Sequence, residues 1–165
     1  MAEGRVIVLM GSASDAEHAR RATALLDRLG VAWSSHVASA HKTPARLLEL
    51  LEGYEAAGGP RVYLTIAGRS NALSGMVEAQ VAAPVIACPP LGSGPWAPFD
   101  LASSLRMPSG VAPLVVLEPE NAALAAVKIL GLVEPRHEEA VRSYQAAQRE
   151  KLERADAELG REGTG

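Results

Sequence analysis

The sequence predicts an α/β fold: a three-layer αβα sandwich around a five-stranded parallel sheet of order 2-1-3-4-5, with an additional C-terminal helix. Three observations predict it. Strand-length apolar runs alternate with stretches at helical spacing, the pattern of a parallel sheet covered by helices. The first run, Arg5 to Met10, is almost continuously apolar, as a strand buried on both faces reads. Short loops rich in Gly, Ser and Pro join the strands to the helices.

Taken in order, the run Arg5-Val-Ile-Val-Leu-Met10 is the first strand. Gly11-Ser12-Ala13-Ser14-Asp15 follows at once, then Ala19, Ala22, Leu25, Leu26 and Leu29 at helical spacing, with Gly30 as the stop. Ser14 with Glu17 fits a capping box. Val31 to Ala38 alternates and predicts the second strand. Ser39-Ala40-His41-Lys42-Thr43-Pro44 leads into a helix carrying Leu47, Leu48, Leu50, Leu51 and Tyr54, with Thr43 as N-cap and Pro44 in the first turn. Gly58-Gly59-Pro60 ends that helix near Ala57.

Arg61 to Ile66 is the third strand, running into the small-residue loop Ala67-Gly68-Arg69-Ser70-Asn71 and a helix that continues through Val77 and Val81 toward Pro84. Val85 to Cys88 is the fourth strand. Pro89 to Pro95 is a stiff loop, Phe99 to Arg106 a short helix, and Met107-Pro108-Ser109-Gly110 a turn. Leu114 to Leu117 is the fifth strand, and Asn121 to Leu130 a helix stopped by Gly131. Pro135 to Leu159 predicts a polar helix with a thin apolar stripe of Ala140, Val141, Tyr144, Ala147 and Leu152, suited to the outside or to another subunit. Residues 161–165 are expected to be disordered. One domain, 1–165, with a core over about 5–131, accounts for the chain.

Bulk properties bound the partners. The chain has 165 residues, 48% hydrophobic and 21% charged, values of a globular protein with an ample core. A net charge of −3 gives no reason to expect nucleic acid or an anionic membrane. No stretch is long and apolar enough to span a bilayer, and no secretory signal pattern opens the chain, so the cytoplasm is the expected location. The one cysteine, Cys88, lies in an apolar run and reads as a buried, inert thiol. No Cys/His cluster has metal-ligand spacing, and no metal ion is expected.

In the order 2-1-3-4-5 the first three strands are adjacent, and their following loops open on one edge at the topological switch point, where ligands of such sheets bind. Those loops carry Ser12, His41 and Gly68. The Gly-Ser loop, with backbone N–H groups and two hydroxyls, is suited to a phosphate, although Ser14 and Asp15 could equally be caps alone. It is neither a Walker loop nor the dinucleotide Gly-x-Gly-x-x-Gly pattern. His41 and Lys42 place an imidazole and an ammonium side by side, a candidate for acid–base work on an anion. In isolation His41 would read as a solvated loop residue.

These residues carry a resemblance. Gly11-Ser12-Ala13-Ser14-Asp15, Ser39-Ala40-His41-Lys42-Thr43-Pro44 and Ala67-Gly68-Arg69-Ser70-Asn71 resemble, in order and spacing, the motifs of the phosphoribosylaminoimidazole carboxylase family of purine biosynthesis. Cys88-Pro89-Pro90, Ser103 to Gly110 and Glu118-Pro119 also look like that family. The resemblance runs from about Val6 to Leu130. It implies a flavodoxin-like order of strands, a homo-octamer, and carboxylation of C4 of aminoimidazole ribonucleotide without ATP, biotin or metal. It also implies roles: His41 as general acid and base, Lys42 on phosphate or carboxylate, Ser12, Asp15 and Ser39 on the ribose phosphate, Gly68 and Ser70 at the carbon dioxide end, and Arg69 as a further candidate.

The family has two branches, a mutase that moves a carboxylate from nitrogen to C4 and a carboxylase that takes free carbon dioxide. Lys42 stands where the mutase has Arg, and Ala72 where the mutase has a second His. Both departures resemble the carbon-dioxide-using branch. A flavin-binding module of the same architecture is the alternative of another class, but aromatic residues are only 4%, with Trp33 and Trp96 read as scattered packing residues. A receiver domain would need acidic residues where Gly11 and Ser12 stand. His18, His36 and His137 read as surface or packing residues.

Overall fold

A computed structural model describes residues 3–92 and 94–162. Its strands are β1 (Arg5–Met10), β2 (Ala32–Val37), β3 (Arg61–Ile66), β4 (Val85–Ala87) and β5 (Leu114–Val115). Its helices are α1 (Ala16–Arg28), α2 (Pro44–Ala57), α3 (Ala72–Glu78), α4 (Ala97–Leu105), α5 (Pro119–Gly131) and α6 (Pro135–Glu162). The sheet is parallel throughout and has the predicted order, β2-β1-β3-β4-β5.

The two-residue period of the strands divides the core between two faces. Val6, Val8 and Met10 of β1, with Val62, Leu64 and Ile66 of β3, pack on Leu25 and Leu26 of α1 and on Ala122, Ala126 and Val127 of α5. Ile7, Leu9 and Tyr63 point the other way, onto Leu47 and Leu51 of α2 and Leu73 and Val77 of α3. Both faces are dry, which is why β1 reads as a nearly unbroken apolar run; β3 buries one polar residue, Thr65, whose hydroxyl donates to Ile86 O (3.3 Å). Edge strand β2 alternates half-buried with exposed residues, matching its alternating sequence.

Local differences from the sequence reading have physical causes. The capping box forms at Ser12 and Asp15 rather than at Ser14 and Glu17, because a single 3-10 turn, Ala13–Asp15, precedes α1. Thr43 stands at the N-cap of α2 but makes no side-chain cap; its hydroxyl is taken by Ser39. Helix α4 starts two residues earlier than expected, since Pro98 suits a first turn. Helix α3 ends at Glu78, well short of Pro84.

Helix α6 runs to Glu162, so Arg161 and Glu162, expected in a disordered tail, are helical, and residues 163–165 lie outside the described residues. Its first turns dock through the buried His137 and Val141, and residues 146–160 are exposed on every face. Trp96 is 72% exposed, makes a tilted ring contact with the exposed Phe99, and does not pack in the core. Trp33 lies at the surface, where its indole N–H donates to Asp27 Oδ1 at 2.7 Å.

Candidate active site

The ladder of the sheet continues past the last strand residues. Gly11 N–H donates to Ile66 O (2.9 Å), Ala38 N–H to Met10 O (2.9 Å) and Cys88 N–H to Thr65 O (2.8 Å). The three loops after β1, β2 and β3 therefore leave the sheet from fixed points along one edge. They enclose a cavity of about 490 Å³. Its walls are Gly11, Ser12, Ser14 and Asp15 from the first loop, Ser39 to Lys42 from the second, and Ala67 to Ser70 with Leu73 from the third. Every residue the sequence put forward for the site, namely Ser12, Asp15, Ser39, His41, Lys42, Gly68 and Ser70, lies in that wall, as does Arg69.

The first loop is folded on itself. Ser12 N–H donates to Asp15 Oδ2 (2.9 Å), Ser14 N–H donates to Ser12 Oγ (3.3 Å), and Ser14 Oγ donates to the same oxygen (3.0 Å). These bonds present both hydroxyls and one carboxylate to the cavity. Gly11 has to be small: a Cβ there would stand 3.1 Å from Ala67 Cβ, so the first and third loops meet almost backbone to backbone. Burial pushes the Asp15 carboxyl above its usual range, opposed by the Ser12 N–H and by His18 one turn on.

The second loop is a tight crossing in which Ser39 N–H donates to Thr43 Oγ1 (2.9 Å) and Lys42 N–H donates to Ser39 Oγ (3.2 Å). Its backbone is thus held by Ser39 and Thr43, while the side chains of His41 and Lys42 are exposed on the rim. The proton of Ser39 Oγ stays free for a ligand.

The third loop contains features no sequence pattern announced. Arg69 has φ +57°, a left-handed conformation uncommon for any residue but Gly, Asn or Asp. Asn71, only 3% exposed, caps α3 by accepting Ser74 N–H (3.2 Å) and donates its amide to Ser104 Oγ on α4 (2.9 Å). Asn71 N–H donates to Ser103 Oγ (2.9 Å), and that hydroxyl stands 2.8 Å from both Arg69 O and Asp100 O. Gly68 passes close beneath Pro90, whose carbonyl oxygen would be 3.3 Å from a Cβ at position 68.

Behind the first loop, His18 Nε2 lies 3.4 Å from Cys88 Sγ. Burial, reinforced by Glu118, pushes the Cys88 thiol up to about 12, as expected of an inert core thiol. Burial and Arg21 hold His18 below the ordinary imidazole value. The cavity itself is lined by three basic side chains, His41, Lys42 and Arg69, against the single carboxylate of Asp15. That lining suits an anionic ligand with one hydroxyl-bearing portion to be accepted.

Residues 5–151 match the AIR carboxylase family, AIR being aminoimidazole ribonucleotide. The chain belongs to that family. It is 46% identical over 156 residues to the phosphoribosylaminoimidazole carboxylase of Treponema denticola, covering 94% of this chain and 98% of that protein. It is 44% identical to the enzyme of the same name from Archaeoglobus fulgidus, over 94% of this chain and 84% of the relative. The crystal structure of Treponema denticola PurE superposes with a TM-score of 0.91 at 44% identity, over 95% of this chain and 99% of that one. The family likeness thus spans the whole sheet and all three loops of the cavity. It replaces the flavin-module alternative, and no aromatic side chain is among the cavity's described lining residues.

Proposed function

We propose that this chain is an enzyme that carboxylates C4 of 5-aminoimidazole ribonucleotide with free carbon dioxide, giving 4-carboxy-5-aminoimidazole ribonucleotide in purine biosynthesis. The observation that carries the reading is the convergence of the Ser12, His41 and Gly68 loops on one basic cavity, in a chain whose relatives bear the carboxylase name.

The chemistry needs little from the protein beyond placement. The amino group of the ring makes C4 nucleophilic; C4 attacks the carbon of carbon dioxide, a C–C bond forms, and one C=O π pair becomes a carboxylate lone pair. C4 then carries both the new carboxylate and its original hydrogen. His41 takes that proton, restoring the aromatic ring, and returns it to C4 in the reverse reaction. Holding carbon dioxide against C4 can lower the barrier by up to ~7–11 kcal/mol.

Ser12 and Ser39 donate to the phosphate, Asp15 accepts from the ribose, and Lys42 neutralises phosphate or product carboxylate. Gly68 and Ser70 form the carbon dioxide end, where the backbone is bare enough to approach a small linear molecule. No step calls on a cofactor.

Lys42 and Ala72 favour the carboxylase branch over the mutase. A compact, mobile ammonium replaces a bidentate guanidinium, and the third loop supplies no second imidazole. The test offers the two substrates separately, without ATP. Carboxylation of aminoimidazole ribonucleotide in bicarbonate is expected. A rate only with carboxyaminoimidazole ribonucleotide, well above its spontaneous decarboxylation, would assign the mutase reaction instead.

The same reading places the enzyme in the cytoplasm, where phosphorylated nucleotides are made, and in a homo-octamer. Exposed Trp96, Phe99 and Leu105 on and beside α4, and the outer half of α6, are the surfaces available to neighbouring subunits. Among the described residues no helix is long and apolar enough to cross a membrane. Light scattering at micromolar concentration would show a species of octamer mass; a monomer would overturn the assembly.

A further inference from the structure

Ser103 lies outside the cavity, on α4, yet its hydroxyl touches the third loop twice. It accepts Asn71 N–H at 2.9 Å and stands 2.8 Å from the carbonyl of Arg69. Between those two contacts sits Ser70, which with Arg69 belongs to the cavity wall. A hydroxyl has one proton and two lone pairs. Ser103 can therefore accept from Asn71 at all times, but can donate to only one of its two carbonyl neighbours, Arg69 O or Asp100 O. The bond to Asp100 is local to α4. The bond to Arg69 reaches across 34 residues and fixes a peptide whose φ of +57° is disfavoured for an arginine. Nothing else described holds that carbonyl.

We propose that Ser103 is a positioning residue for the carboxylation reaction. Its hydroxyl pins the left-handed Arg69 and the Asn71 amide, and so sets the carbon dioxide end of the cavity formed by Gly68 and Ser70. The proposal rests on the functional reading above for its substrate, but on the hydrogen bonds alone for the clamp. Without the hydroxyl, Arg69 relaxes toward the right-handed region and carries Ser70 with it. The first loop, which the clamp does not touch, keeps its geometry. The two ends of the cavity should then respond differently. A displacement of about 1 Å at a reacting group costs on the order of 10²-fold in rate.

The experiment compares Ser103→Ala and Ser103→Thr with the parent as full-length protein. In Ser103→Ala, the KM for carbon dioxide should rise or kcat fall by roughly 10–100-fold, with the KM for aminoimidazole ribonucleotide within about twofold. Ser103→Thr, which keeps the hydroxyl, should restore most of the loss. Amide hydrogen exchange of the free proteins supplies a readout independent of turnover: Asn71 N–H should lose protection in Ser103→Ala and not in Ser103→Thr, while Asp15 N–H is unchanged. An unchanged exchange rate at Asn71 overturns the clamp. Equal weakening of both substrates, or no rescue by Thr, reduces Ser103 to a structural residue and overturns its positioning role. A parent enzyme inactive on both nucleotides would sink the functional reading instead, with the exchange data still judging the clamp.

Discussion

Replacing Asn71 by Ala is expected to destabilise the protein by about 2–4 kcal/mol. Two losses make up the figure. The side-chain oxygen caps α3 through Ser74 N–H at 3.2 Å, and removing such a cap costs ~1 kcal/mol. The side-chain amide donates to Ser104 Oγ at 2.9 Å, and Ser104 is only 1% exposed, so deleting the donor leaves a buried hydroxyl short of a partner at about 1–3 kcal/mol. For a chain of this length each kcal/mol moves the melting temperature by about 2–4 °C.

Thermal unfolding at fixed protein concentration, with the concentration held because assembly shifts the transition, should therefore drop by about 4–16 °C. Asn71→Asp should cost less, since it keeps the cap and lets the Ser104 hydroxyl turn its proton toward the carboxylate. The double variant Asn71→Ala with Ser104→Ala should be less destabilised than the sum of the singles, because removing both partners leaves no orphan. A drop under about 2 °C for Asn71→Ala, or strict additivity in the cycle, would refute this account of the buried pair.

Three further outcomes are expected. His41→Asn should lower turnover by about 10²–10⁴-fold and leave the melting temperature almost unchanged, since the side chain is exposed and holds nothing in the fold; near-normal turnover would remove His41 from the mechanism. The nucleoside lacking its phosphate should bind at least about 10–100-fold more weakly, the worth of a single charge-assisted hydrogen bond; equal titration of the two by calorimetry would place the phosphate away from Ser12 and Ser39. His18, His36 and His137 are all held below the ordinary imidazole value, with burial the leading cause in each. The unfolded chain then takes up protons near pH 6.5 that the folded chain refuses. Stability should fall as the pH drops below about 6.5, and His137→Gln, at a site faced by Glu3, Glu134 and Arg136, should flatten the decline; a decline of the same slope in that variant would show that His137 does not drive it.

What could be read from the sequence was what repeats or is local. The continuous apolar run Arg5–Met10 announces a strand covered on both faces, and the alternation over Val31 to Ala38 announces a second strand, which the structure puts at the edge of the sheet. The strand order followed from topology, and with it the convergence of the three loops. The contacts that shape the third loop were hidden. Asn71 meets Ser103 and Ser104 across 32 and 33 residues, and a pair that distant leaves no period to detect. The left-handed Arg69 had no Gly or Asn to mark it. The cap at Ser12 and Asp15 was missed because Ser14 and Glu17 offer the same spacing two residues on, and only the 3-10 turn decides between them.

The ladder bonds that run past the strands into the loops have a consequence for how ligand affinity is distributed. Gly11, which lines the cavity, is tied to the sheet through Ile66, and Ala38, next to the lining Ser39, through Met10, so the floor of the cavity is already ordered before anything binds. Closing around a nucleotide therefore freezes few backbone torsions. The ordering that remains falls on the long or exposed side chains of the rim, His41, Lys42 and Arg69, at about 0.5–1.5 kcal/mol for each one immobilised. Affinity in this protein is accordingly most improvable at the rim, by stiffening what carries those three side chains, and least improvable at the floor, where there is little disorder left to remove.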